Sequence, residues 1–256
     1  WHGRNHCAMT HLLVLAGTGE ARQLLAQLAT NPDIRITASL AGATDRPAAF
    51  GVETRIGGFG GVDGLAKWCD RHAVDAIIDL THPYAAQMSW HAAALSADLP
   101  VIAYARPAWQ ATKNDRWTEF ENWAAMAAAL PAQARPFLAG GSRAVTAFVS
   151  RADLWLLARG LKFDDDLKKY NNLRLINDFP KKQIEDEIAL LTEYKISHIC
   201  AKNAGGNWSF AKIEAARQLG LPVWFLARPD CQKGHQHYQI CHSLDDVTAA
   251  IKAMIG

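Results

Sequence analysis

Residues 12 to 25 read Leu-Leu-Val-Leu-Ala-Gly-Thr-Gly-Glu-Ala-Arg-Gln-Leu-Leu, and few folds accommodate such a stretch. An apolar run ending in Gly-x-Gly, followed at once by helix-forming residues with leucines on one face, describes a buried parallel strand feeding a helix. Gly17 and Gly19 permit the tight reversal and leave the backbone bare, so a diphosphate can approach the first N–H groups of the helix, where the macrodipole favours an anion. The full dinucleotide fingerprint has a third glycine where this chain has Arg22. Glu20 falls in the first helical turn, where a free carboxylate repels a phosphate. Its expected role is to cap backbone N–H groups or to reach a ribose hydroxyl. An ordinary strand-to-helix connection with no ligand has the same local sequence.

The same rhythm continues along the chain. Ile34 to Leu40 is a second strand, and it lacks the terminal acid that reads a ribose 2′-hydroxyl in NAD enzymes. Ser39 and the nearby Arg46 leave room and charge for a 2′-phosphate, which favours NADP, although Arg46 reads equally well as a solvated loop cation. Val52 to Ile56 is a third strand. Gly57-Gly58-Phe59-Gly60-Gly61 is a flexible connector, able to close over a ligand or to be a plain linker, before a helix from Val62 to His72. Val74 to Leu80 is a buried strand followed by Thr81-His82-Pro83-Tyr84 and a helix to about Ala97, with Thr81 the expected N-cap. Ligands of parallel sheets gather at the carboxyl ends of strands, which sets Thr81, His82 and Tyr84 beside the Gly17 turn.

Pro100 to Ala105, a short strand at 115–120 and a small helix at 122–130 complete a first domain, expected over residues 9–133. Residues 131–136 read as a linker, after which the pattern restarts in a second domain, 134–256. Gly140-Gly141-Ser142-Arg143 repeats the strand-glycine-helix arrangement, with Ser142 as the expected cap. Strands at 153–158 and 173–177 flank a charged run, 164–169, read as a solvated loop. A helix at 181–194, a strand at 197–201, the turn Lys202-Asn203-Ala204-Gly205-Gly206-Asn207, a helix to Leu219, strands at 221–227 and 238–241 and a helix at 244–255 follow.

Composition closes off several classes. A net charge of +2 with 20% charged residues builds no polycationic face, so nucleic acid is not an expected partner. No apolar window is long enough to span a bilayer and no signal-peptide pattern is present, so the chain reads as cytoplasmic. Trp1 to Ala8 looks like a leader ahead of Met9. Five scattered cysteines suit a reducing compartment. Cys231, His235, His237, Cys241 and His242 have metal-like content but no standard zinc spacing, and no metal is expected.

As an ordered set, Ala-Gly-Thr-Gly-Glu-Ala (16–21), Asp-Leu-Thr-His-Pro-Tyr-Ala (79–85) with Gln87-Met88-Ser89, Arg106-Pro107-Ala108-Trp109, Glu187-Ile-Ala-Leu (187–190), and Lys202-Asn-Ala-Gly-Gly (202–206) with Ala211-Lys212 resemble the precorrin-6A reductase family of cobalamin biosynthesis. The resemblance runs through most of residues 10–229, while 160–172 follow no pattern of the family. It implies an α/β fold of two Rossmann-like domains, with parallel sheets facing a central cleft. It also implies NADPH as hydride donor to one double bond of an anionic tetrapyrrole, with or without cobalt; the sequence leaves the oligomeric state open, a monomer included.

Carried onto this chain, the resemblance puts Gly17, Thr18, Gly19, Glu20 and Ala21 on the cofactor diphosphate and ribose, and Ser39 and Arg46 at its adenosine end. Thr81 falls on the nicotinamide side, with Lys202 and Asn203 as further cofactor contacts. His82 and Tyr84 are the candidate proton donors. A flat polyacid needs cations at its rim and aromatic or small residues beneath it. Arg106, Arg116 and Arg143 with Gln87, Trp109, Gly141, Ser142, Gly205 and Gly206 are the expected substrate contacts. A short-chain dehydrogenase is a weaker reading, because Tyr-x-x-x-Lys is absent: four residues after each tyrosine stand Met88, Ala108, Arg174, His198 and His242. A non-catalytic module binding a nucleotide or a tetrapyrrole, or an NADP-dependent reductase of another substrate, has the same sequence features.

Overall fold

The computed structural model describes residues 9–42, 50–229 and 238–255. The leader, Arg46, Cys231, His235 and His237 lie outside the described residues. The chain forms two compact units, one of residues up to Arg106 together with those from Pro229 onward, the other from Pro107 to Arg228.

The first unit opens with β1 (Thr10–Leu15), α1 (Gly19–Leu28), β2 (Ile34–Leu40), β3 (Glu53–Ile56), α2 (Val62–Arg71), β4 (Ala76–Asp79), α3 (Ala86–Ala94) and β5 (Val101–Tyr104). Side chains alternate across β1. Leu12 and Val14 pack with Leu24, Leu25, Ile36 and Ile78 on one face, and Leu13 and Leu15 with Leu65, Ile77 and Val101 on the other. Both faces being buried explains why the strand is apolar throughout.

The second unit runs β6 (Trp117–Phe120), α4 (Trp123–Ala129), β7 (Pro136–Ala139), α5 (Ser142–Phe148), β8 (Leu156–Gly160), a 3-10 turn (Asp165–Lys169), β9 (Leu173–Asn177), α6 (Ile184–Glu193), β10 (His198–Lys202), α7 (Ala211–Gln218) and β11 (Val223–Leu226). Its sheet also has two buried faces: Leu138, Leu156 and Cys200 belong to one core, and Phe137, Leu157 and Ile199 to the other. The chain ends in β12 (Tyr238–Cys241) and α8 (Leu244–Ile255).

Each sheet has six parallel strands, ordered β12-β5-β4-β1-β2-β3 in the first unit and β6-β11-β10-β7-β8-β9 in the second. The expected α/β class with two parallel sheets is therefore present. The boundary expected at residue 133 is not. β6 follows β5 in the chain yet pairs with β11, and β12 follows the second unit yet pairs with β5, Tyr238 opposite Val101. The first sheet therefore takes its edge strand β12 from beyond the second unit's sequence, while β6 opens the second unit itself.

Smaller expectations change as well. Pro136, read as linker, is the buried first residue of β7, where a strand tolerates proline. The charged run is no plain loop, since its 3-10 turn sends Leu167 into the core. Thr81 does not cap α3, whose N-cap is Ala85, because the turn at 81–85 delays the helix. Ser142 is the first residue of α5 and its N-cap is Gly141, at φ +74°.

Candidate active site

In each sheet the strand order reverses beside the unit's first central strand, and loops at the carboxyl ends diverge there to leave a ligand crevice. In the first unit those loops follow β1 and β4. Thr18 joins them. Its Oγ1 accepts from the Ala21 amide (3.2 Å), capping α1, and donates to the Leu80 carbonyl (2.8 Å). Gly17 has φ +130°, and a Cβ built on Gly17 or Gly19 would meet no atom within 4 Å. The turn is thus an open backbone cradle at a helix N-terminus, which fits a dinucleotide diphosphate.

Glu20 does not cap its own helix. It pairs with Arg106 at 2.5 Å, the two side chains 24% and 10% exposed, so the carboxylate near the cradle is neutralised. The same bond commits Arg106, expected at the substrate, to the first unit's own turn. Ser39 is buried, and its hydroxyl accepts from Arg55 at 2.7 Å.

The loop after β4 is held by a residue that sequence reasoning missed. Buried Asp79 accepts from the Thr81 amide (3.0 Å), and Thr81 Oγ1 lies 3.1 Å from Ser89 Oγ on α3. His82 Nδ1 accepts the Tyr84 amide (3.2 Å), which in the neutral ring leaves the proton on Nε2. The His82 and Tyr84 rings are tilted, with centroids 5.8 Å apart. Gln87 is exposed on α3. Arg55 was also missed: it stacks over Phe59 at 3.8 Å and donates to the carbonyls of Gly57 (2.8 Å) and Gly58 (3.0 Å). These contacts fold the 57–61 connector into a braced loop in place of the slack one expected.

In the second unit the equivalent loops follow β7 and β10. Gly140 is required there, because a Cβ would fall 2.5 Å from the Trp123 ring. Gly141, Ser142 and exposed Arg143 begin α5. Burial, and next the Arg143 charge, pull the Lys202 ammonium below its ordinary value, so two cations share this edge. Such a pair suits a carboxylate ligand.

Asn203, expected on the cofactor, holds Trp109. Its Oδ1 accepts the Trp109 amide (2.8 Å) and its Nδ2 donates to the Trp109 carbonyl (3.0 Å), while the indole N–H donates to the Gly206 carbonyl (2.7 Å). Gly205, at φ +69°, is buried where a Cβ would sit 2.0 Å from the Pro107 carbonyl oxygen. Arg116 does not join this group. It precedes β6, at the amino end of a parallel sheet, and donates to the Gly220 carbonyl at 3.2 Å.

Behind the 203–210 loop lies an ionic cluster that the sequence did not announce as one. Buried Arg159 forks onto buried Glu187 (2.7 and 3.2 Å), and Glu187 also accepts the Lys181 amide at 3.0 Å. Lys212, also buried, donates to the Ser209 carbonyl (2.6 Å) and sits 5.1 Å from the Trp109 ring centroid.

Among the described residues, no group of three His, Cys, Asp or Glu side chains is arranged to hold a metal, and no helix is long and apolar enough to cross a membrane. His242 Nδ1 lies 3.0 Å from the Ala105 carbonyl, and Cys241 is buried.

Comparison with known proteins agrees with this fold. The chain is 39% identical to the precorrin-6A reductase of Rhodococcus erythropolis over 251 residues, 97% of this chain and 98% of that one. It is 42% identical to that of Rhodobacter capsulatus over 224 residues, 86% of this chain and 89% of the other. A cobalt-precorrin-6A reductase from Priestia megaterium is 30% identical over 242 residues, 87% of this chain and 92% of its own. The solved structure of CobK precorrin-6A reductase superposes with a TM-score of 0.87 at 39% identity, covering 96% of this chain and 97% of that chain. The family model for the precorrin-6x reductases CbiJ/CobK matches residues 11–252, and this chain belongs to that family.

Proposed function

We propose that this protein is an NADPH-dependent oxidoreductase that reduces one ring double bond of precorrin-6A in cobalamin biosynthesis. The observation that carries the reading is the open Gly17–Gly19 turn at a helix N-terminus, in a chain that matches precorrin-6A reductases along nearly all of its length. Family membership calls for a nicotinamide cofactor. Identities of 39% and 42% to enzymes of the cobalt-free substrate, against 30% to one named for the cobalt form, favour precorrin-6A itself.

The reduced nicotinamide supplies a hydride. The chain supplies the rest. Amides of Gly17, Thr18, Gly19 and Glu20 would hold the diphosphate, the Ala21 amide being taken by the Thr18 hydroxyl that fixes the turn, and Ser39 would lie toward the adenosine end. Thr81 would border the nicotinamide, and His82 or Tyr84 would deliver the proton that completes the reduced bond, the Tyr84 hydroxyl directly or the His82 ring once protonated and released from the Tyr84 amide. Gln87 is a further contact on the first unit. Arg143 and Lys202, with Gly141, Ser142, Gly205 and Gly206, receive substrate carboxylates, and the braced Trp109 offers an apolar ring face. Most of the rate then comes from holding two flat rings in register.

The test is loss of NADPH absorbance on adding precorrin-6A to the purified protein. Turnover supports the assignment, whereas tight binding of both with no NADPH oxidation marks a carrier. His82→Ala should lower kcat at saturating substrate; an unchanged kcat moves the proton donor elsewhere.

A further inference from the structure

At the amino end of the β2–β3 pair, Arg35 has a counter-ion, Glu53 at 3.0 Å. At the carboxyl end the corresponding cation has none among the described residues. Arg55 stands opposite Ser39 in the parallel register, and none of the described carboxylates lies within ion-pair distance of it. Its acceptors among the described residues are neutral: Ser39 Oγ and the carbonyls of Gly57 and Gly58. These bonds use three of the five N–H groups of a guanidinium and leave two. The Phe59 ring lies 3.8 Å beneath and Trp68 5.8 Å away, so the group is held flat and in one place. A partly buried cation fixed among neutral partners is costly to keep without an anion. Burial is the one force acting on its pKa, and it lowers it.

The position narrows the anion. In a sheet ordered β4-β1-β2-β3, with the diphosphate cradle after β1, the carboxyl end of β2 is where the adenosine ribose 2′ position falls. We infer that Arg55, braced by Phe59 and Ser39, reads a 2′-phosphomonoester on the adenosine ribose and sets the preference for a 2′-phosphorylated dinucleotide. This rests on the dinucleotide site proposed above and names the residue that selects between its two forms. The fork of N–H groups matches phosphate oxygens, and a dianion supplies the missing charge.

The experiment titrates adenosine 2′,5′-bisphosphate and 5′-ADP, by calorimetry, into wild-type protein, Arg55→Met and Arg55→Lys. Wild type should favour the 2′-phosphorylated ligand. Arg55→Met should cut that preference by about 10- to 100-fold, the range for losing charge-assisted hydrogen bonds, while 5′-ADP affinity stays within about 3-fold. Arg55→Lys should fall between, since it keeps the charge and loses the fork. If Arg55→Met fails to fold, Arg55→Lys carries the test, and an unaltered preference in it overturns the inference. Equal weakening of both ligands would mark Arg55 as a brace for the 57–61 loop and would also overturn it. So would retention of the preference in Arg55→Met together with its loss in Arg46→Met. Failure of wild type to bind either nucleotide would instead refute the dinucleotide site itself.

Discussion

Replacing Lys212 by Met should change how the stability of the second unit responds to pH. Lys212 is 4% exposed, and among the described residues its Nζ has one acceptor, the Ser209 carbonyl. Burial pulls its pKa from 10.5 to about 7; the Glu187 carboxylate opposes that fall and Arg159 adds to it. The folded pKa lies below the unfolded one, so between about pH 7 and 10.5 the unfolded chain binds the extra proton. Stability therefore rises with pH across that window, and the penalty is complete only below it. Integrating the two titrations from pH 7 to pH 9 gives roughly 2 kcal/mol from this one group. Other ionisations cancel when wild type is compared with Lys212→Met at each pH. Urea unfolding followed by tryptophan fluorescence suits the test, because Trp109, Trp117, Trp123, Trp155, Trp208 and Trp224 all belong to the unit that holds Lys212. The wild-type free energy minus that of the variant should increase by about 2 kcal/mol on going from pH 7 to pH 9. A difference constant to within about 0.5 kcal/mol would refute the reasoning, and a decrease would mean that the amine is charged and satisfied in the folded state.

Thr18→Val removes both bonds of the hydroxyl that joins the β1 and β4 loops, and should cost about 1–2 kcal/mol by thermal or urea unfolding along with nucleotide affinity; Thr18→Ser should retain most of both. Gly205→Ala and Gly220→Ala form a matched pair at φ +69° and +66°, differing in that the added Cβ meets the Pro107 carbonyl at 2.0 Å in the first and open space in the second. Gly220→Ala should lower Tm by the few degrees that a left-handed alanine costs, about 1 kcal/mol. Gly205→Ala should lower it clearly further; equal losses would mean that the loop near Trp109 yields.

The elements readable in advance were those whose chemistry is local. The apolar run of β1, its glycine turn and the leucine face of α1 declare themselves within one short segment, as do β9, β12 and α8, whose bounds match expectation. The edge strands β6 and β12 were recognised as strands, but their partners depend on tertiary packing, and the usual pairing of sequence neighbours pointed to the wrong sheet. Site residues behaved likewise. Glu20 and Arg106 are 86 positions apart, and Asn203 and Trp109 are 94 apart, so no local pattern could say that each would be occupied by the other. Arg55 sits in a four-residue strand with no motif of its own, and becomes conspicuous only once Ser39 is seen across from it.

The placement of β12 has a consequence for biosynthesis. While a ribosome is making residues 107–228, the first sheet has β5 as an open edge, a row of unpaired N–H and C=O groups able to template misassembly. That edge is sealed only when residues 238–241 emerge, so a premature stop near the end of the message would damage the part of the protein made first.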